Sequence, residues 1–202
     1  MAELKTNLTR EQAFDLLKRY NEDPYHIEHG ETLERLMRYY SQIHDPENVE
    51  FWGQVGLLHD LDWEVCQDDA LHTVKAAEIL EAEGADPALA HAIQTHNSDV
   101  NPELPSPEHK MEKVLFAVDE LSGLINACVR MRPSGSVQDF ETSSLKKKFK
   151  NKKFAAGCDR EVIRYGAEIN GMELDELFDS VIEATKATDP HREAWLAEHP
   201  EV

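Results

Sequence analysis

The sequence predicts an all-α protein, and three observations predict it. Apolar residues recur at helical rather than alternating spacing through most of the 202 residues. Capping residues stand repeatedly just before those apolar stretches, often followed by proline. No sustained period-2 alternation and no Asn-Gly or Asp-Gly hairpin signal occurs. Eight or nine helices account for the pattern, with a core over residues 1–130 and a helical extension over 131–202.

The elements follow in order. "LTREQAFDLLKRY" carries a capping box, Thr9 with Gln12 three residues on, ahead of Phe14, Leu16 and Leu17. "IEHGETLERLMRYYSQI" places Leu33, Leu36, Met37 and Tyr40 on one face, with His29 near the helix start. Asp45-Pro46, Asp86-Pro87 and Ser106-Pro107 are read as helix starts, since proline tolerates a first turn whose N–H has no helical partner. "VGLLHDLDWE" closes the third helix on His59 and Asp60, with Asp62 and Glu64 just behind. His72 opens "HTVKAAEIL", and His96 ends "ALAHAIQTH". "KVLFAVDELSGLINACV" is strongly apolar and is expected to be a central buried helix that contains Asp119. Asp159 caps "REVIRYG", with Gly166 or Gly171 as the stop.

Composition narrows the function. The chain has 21 Lys plus Arg against 40 Asp plus Glu, a formal net charge of −19. Such a surface repels nucleic acid polymers and anionic membranes. Ten of the 21 basic residues fall between Arg130 and Arg164, a concentration that suits either a small anionic ligand or a solvated charged face. No apolar run reaches the roughly 20 residues of a membrane span, and the N-terminus lacks the pattern of a secretory signal. Cys66, Cys128 and Cys158 are widely spaced, as expected of free thiols in a reducing, cytoplasmic setting.

The chemistry gathers in histidines and acids beside apolar stretches. An ionised carboxylate next to Leu57 and Leu58 is costly to bury without a positive partner. His29, His59, Asp60, His72, His96 and Asp119 are therefore read as metal ligands, because imidazole and carboxylate together suit manganese, nickel, zinc or iron, with magnesium also considered.

The order His, His-Asp, His, His, Asp resembles the HD-domain superfamily of metal-dependent phosphohydrolases, including its HDIG-like members, over residues 25 to about 125. "LLHDLDWE" stands at that family's His-Asp signature, "HTVKAAEIL" at a third histidine and "AIQTH" at a further one. The tail, "VRMRPSGS…LKKKFKNKKFAAG", looks like that of a poorly characterised bacterial branch. The resemblance implies an HD-type helical bundle in which His29, His59, Asp60 and Asp119 hold one divalent cation. Asp60 would bridge to a second held by His72 and His96. Asn97 stands where a paired histidine is common, and Leu61 to Glu64 hold no lysine, so one cation or two both stay open.

The function implied is hydrolysis of a small phosphate ester or nucleotide by metal-activated water. Asp62 and Glu64 would serve as proton donors or as partners orienting the histidines. Arg132, Lys147, Lys150 and Lys153 would hold the substrate phosphate. An HD-type di-iron oxygenase and a non-catalytic nucleotide-binding protein are the alternatives.

Overall fold

The computed structural model describes residues 4–66 and 68–200, and among them the fold is all-α, without a strand. Ten α-helices run in order: α1 (Arg10–Tyr20), α2 (Pro24–His44), α3 (Val49–Leu58), α4 (Val74–Ala82), α5 (Pro87–Gln94), α6 (Lys110–Arg130), α7 (Thr142–Phe149), α8 (Arg160–Ile169), α9 (Leu174–Thr188) and α10 (Arg192–Glu198). Two short 3-10 turns, Pro46–Asn48 and Thr95–Asn97, precede α3 and follow α5. The chain divides into two compact units at Phe116/Ala117, inside α6.

Helix starts follow the capping chemistry, with instructive exceptions. Thr9 and Gln12 form the full capping box of α1, and Asp86 and Asp159 cap α5 and α8 through their carboxylates. Asp23-Pro24 starts α2, a full turn earlier than the apolar pattern indicates, so His29 lies inside the helix. Asp45 does not cap in this way. Its carboxylate is buried and accepts from Asn48 Nδ2 at 2.9 Å and Trp52 Nε1 at 3.2 Å. Ser106-Pro107 likewise does not start α6, where Glu112 Oε2 instead reaches back to the N–H groups of Glu108 and His109. Gly171, at φ +68, is the stop after α8, because a left-handed residue there costs glycine little.

In the first unit, α3 packs chiefly along α2. Phe51, Trp52, Leu57 and Leu58 of α3 and Leu33, Leu36 and Met37 of α2 are fully buried. The two backbones approach so closely that a Cβ on Gly56 would lie 2.5 Å from the Leu33 carbonyl oxygen. A Cβ on Gly30 would lie 2.9 Å from the Leu57 carbonyl oxygen. This approach sets His29 of α2 beside His59 at the end of α3. Gly→Ala in an open helix gains about 1 kcal/mol, but a carbonyl of the packed partner helix cannot give way. Gly56→Ala is therefore expected to destabilise by about 2 kcal/mol net, read as a lower thermal midpoint.

α4 and α5 pack against each other, and α5 also packs on α3. That carries the residues before α4 and after α5 to the end of α3.

In the second unit, Phe149 of α7 and Phe178 of α9 meet edge to face at 5.0 Å between ring centroids. Gly166 of α8 lies against Ala117, where a Cβ would be 2.7 Å from the Ala117 Cα, so the C-terminal half of α6 packs with the helices that follow it. The buried Arg160 guanidinium donates to the carbonyls of Phe154, Ala155 and Cys158, fixing the loop before α8. No helix among the described residues is long and apolar enough to cross a membrane.

Candidate metal centre

α3 ends at Leu58 because the chain turns successively there. Leu61 N–H donates to the Leu58 carbonyl, Trp63 N–H to Asp60 and Val65 N–H to Asp62. Asn21, buried at the end of α1, donates from Nδ2 to the Leu61 carbonyl at 3.0 Å and so holds this turn in place. Asp60 sits at its apex with 17% of its side chain exposed.

The two oxygens of Asp60 face different histidines. Oδ2 lies 3.4 Å from His59 Nε2 and 3.8 Å from His29 Nε2. Oδ1 lies 3.2 Å from His72 Nε2 and 3.7 Å from His96 Nε2. Within each pair the Nε2 atoms themselves are 3.2 Å apart, His29 with His59 and His72 with His96. Two imidazole nitrogens turned toward one another and toward a carboxylate oxygen present lone pairs to a common point.

The other ring nitrogens explain why the Nε2 atoms face inward. His59 Nδ1–H donates to the Gly56 carbonyl at 2.7 Å, and His96 Nδ1–H to the Ile93 carbonyl at 2.6 Å. A carbonyl only accepts, so the proton of the neutral ring is on Nδ1 and Nε2 carries the lone pair. His72 Nδ1 does the same toward Asp62 Oδ1 at 2.7 Å. Orientation of Nε2 by a hydrogen bond at Nδ1 is the usual arrangement around a metal-binding histidine.

Two His/Asp groups consequently have the compactness of a cation site. Asp60, His72 and His96 offer one ligand atom each within 4.8 Å of one another, and His29 and His59 set their Nε2 atoms 3.2 Å apart beside the other oxygen of Asp60. Asp119 lies on α6, in the second unit. Imidazole nitrogen with carboxylate oxygen is a donor set that suits a borderline divalent cation, so the residues present fit such an ion.

Asp62 is buried completely and has no oxygen to spare for acid chemistry. Oδ1 accepts from His72, and Oδ2 accepts from the N–H groups of Thr73 at 2.9 Å and Ala76 at 3.0 Å. It orients His72 and anchors the start of α4. Glu64 is occupied as well. Its carboxylate accepts from the N–H groups of Glu22 and Asp23, both at 2.8 Å, and from His26 Nδ1 at 2.7 Å. These bonds tie the turn after Asp60 to the start of α2. Arg132 donates to Asp139 Oδ2 at 2.6 Å and to its carbonyl within the loop after α6. Lys147, Lys150 and Lys153 are exposed on and beyond α7.

Two further residues serve the site without being evident from helical periodicity. Asn97, buried one position after His96, donates from Nδ2 to the carbonyls of Asp69 and His72, at 2.9 and 3.0 Å. It fastens the loop carrying His72 to the turn carrying His96. Thr73 is buried at φ +68, a left-handed conformation that a β-branched residue rarely adopts. Such strain persists only where surrounding bonds impose it, and here the Thr73 N–H is held by Asp62.

Electrostatics agree with a cation-ready site. Burial alone would raise the Asp60 pKa, but the imidazoles packed around its carboxylate, His59 first among them, hold it well below the usual carboxylate range. Burial alone would lower that of His72, yet its bonds to Asp60 and Asp62 push it up to about 10. A cation and the His72 proton therefore compete for one lone pair, and cation uptake should release protons. In the chelated protein the sign is fixed. A histidine with a raised pKa stabilises the fold fully below its ordinary value of 6.5, and the contribution is lost as pH rises through about 10. Thermal midpoints in chelator are expected to fall between pH 7 and 10, with a shallower fall in His72→Gln.

Comparison with models of known protein families, with curated proteins and with solved structures finds no match. The two His/Asp groups and the all-α fold are compatible with an HD domain.

Proposed function

We propose that the chain is an HD-type, metal-dependent phosphohydrolase acting on a small phosphate ester. The observation that carries this reading is the division of Asp60, one oxygen toward His29 and His59 and the other toward His72 and His96. A carboxylate whose two oxygens each face a pair of imidazoles offers a donor set that would suit two divalent cations. In this reading His29, His59, Asp60 and Asp119 hold one cation, and Asp60, His72 and His96 hold another. Manganese, nickel, zinc, iron and magnesium are the ions to test.

A divalent cation held by these residues would supply an activated water and offset charge on a phosphoryl group. Hydrolysis would consume one water, break the P–O bond of the ester and release an alcohol and phosphate. The chain's own part is positional. Asp60 keeps its charge in partly buried surroundings, the Nδ1 bonds of His59, His72 and His96 aim their Nε2 atoms, and Asp62 keeps His72 in register. Binding of the substrate phosphate by Arg132, Lys147, Lys150 and Lys153 belongs to the proposal, as does a cytoplasmic setting. With Arg132 already bonded to Asp139, the exposed lysines are the stronger candidates.

The test is a panel of phosphate monoesters assayed with each cation on protein stripped by chelator. Hydrolysis that requires added cation and disappears in His72→Ala supports the reading. Two bound irons with O₂ consumption and no phosphate release would replace it with the oxygenase.

A further inference from the structure

Eight large apolar residues are markedly exposed among the described residues, and five of them cluster along the sequence around the histidines. Trp63, Val65 and Leu71 lie on the segment between Asp60 and His72, Val100 follows the turn that carries His96, and Tyr25 opens the helix that carries His29. Scattered single apolar residues on a surface need no explanation, but a concentration around one site does.

The two aromatic members touch the cluster itself. Trp63 is 47% exposed, and its ring meets the His72 ring edge to face at 5.2 Å. Tyr25 is 39% exposed and lies parallel to the His29 ring at 6.3 Å, with 4° between the planes. His26 joins them, 5.7 Å from Tyr25 and 6.5 Å from Trp63 between centroids. The chain of rings therefore runs from the His29 side of Asp60 to the His72 side. Two of its members, Trp63 and the central His26, are anchored. The Trp63 N–H donates to the Asp60 carbonyl at 3.1 Å, and His26 is bonded to Glu64. Burying these rings in the protein would be the ordinary outcome of folding. Held at the surface against histidines of the cluster, they offer π-faces to a ligand.

We propose that Trp63 and Tyr25 form a stacking subsite beside the histidine cluster, so that the phosphate ester taken there carries a planar aromatic ring on a short linker. This rests on the phosphohydrolase reading for the ester, but the stacking can be tested without turnover.

Benzyl phosphate and cyclohexylmethyl phosphate make the comparison, since both release a primary alcohol and differ in the planarity of the ring. Cation-loaded protein is expected to favour the benzyl ester in kcat/KM by roughly three- to tenfold, the span of an aromatic pair. Trp63→Leu and Tyr25→Leu should each bring that ratio toward one, and Trp63→Phe should keep it. In parallel, calorimetry with benzylphosphonate and cyclohexylmethylphosphonate, which are not hydrolysed, reads binding alone. Tighter binding of the benzyl compound, lost in Trp63→Leu at unchanged cation content, supports the subsite even if neither ester is hydrolysed, and in that case only the hydrolase reading fails. Equal binding of the two phosphonates, failure of both to bind, or a preference that survives both leucine variants overturns the subsite.

Discussion

Asp60→Ala is expected to abolish tight cation binding at both histidine pairs at once. Most ligand substitutions remove one corner of one site. Asp60 is different because each of its oxygens faces its own pair of Nε2 atoms, at 3.4 and 3.8 Å on one side and 3.2 and 3.7 Å on the other. Loss of a group that merely orients a ligand weakens metal binding by about 10- to 100-fold, so loss of the shared ligand should exceed that at each pair. The folded state itself should survive. Removing a carboxylate from among four imidazoles takes away a partly buried charge, and the rings can remain neutral with their Nδ1 bonds intact. Circular dichroism close to wild type, with cation affinity down by more than about 100-fold, is the expected pair of results. Retention of affinity would remove Asp60 from the site.

Asp62→Ala should do the opposite, costing the fold first and the cation second. Three donors converge on this buried carboxylate: the His72 ring, the Thr73 N–H and the Ala76 N–H. Alanine would leave all three unpaired in a dry environment and release the constraint that keeps Thr73 at positive φ. Breaking one partner of a buried charged network costs about 3–5 kcal/mol, partly offset here by relief of strain at Thr73 of about 1 kcal/mol. Denaturant unfolding should therefore show a loss of about 3 kcal/mol. Cation binding on the His72 side should weaken by about 10- to 100-fold, because His72 loses the bond that fixes its tautomer. Thr73→Gly separates the two effects. It accepts the left-handed conformation without strain and keeps the N–H that Asp62 holds, so cation affinity should stay near wild type. An Asp62→Ala variant as stable as wild type would contradict the role assigned to this carboxylate.

Much of this was legible in the sequence, for physical reasons that differ between elements. The helical class follows from spacing and caps, and Thr9, Asp86 and Asp159 cap as their side chains suggest. Misplaced starts arise where a tertiary partner outbids the local one. Asp45 is drawn to Asn48 and Trp52, and Glu112 satisfies the N–H groups that Ser106-Pro107 was expected to cap. The meeting of His29, His59, Asp60, His72 and His96 was signalled by charge placed beside apolar runs, since a carboxylate there needs a partner. The partners of those ligands were harder to see. Asn21, Thr73 and Asn97 act through backbone contacts 25 to 40 residues away or through an unusual φ, and no local periodicity encodes either. From the sequence Asp62 reads equally as a proton donor or as a partner that orients a histidine. Its burial, and therefore its choice between donating a proton and orienting His72, depends on α4 folding back over it.

The most direct measurement is a calorimetric titration of chelator-stripped protein with manganese, zinc and nickel in two buffers of different ionisation enthalpy. Saturable uptake of one or two cations per chain, with protons released as His72 gives up its own, is the predicted result. Wild type that takes up none of these ions above the level of Asp60→Ala would contradict it.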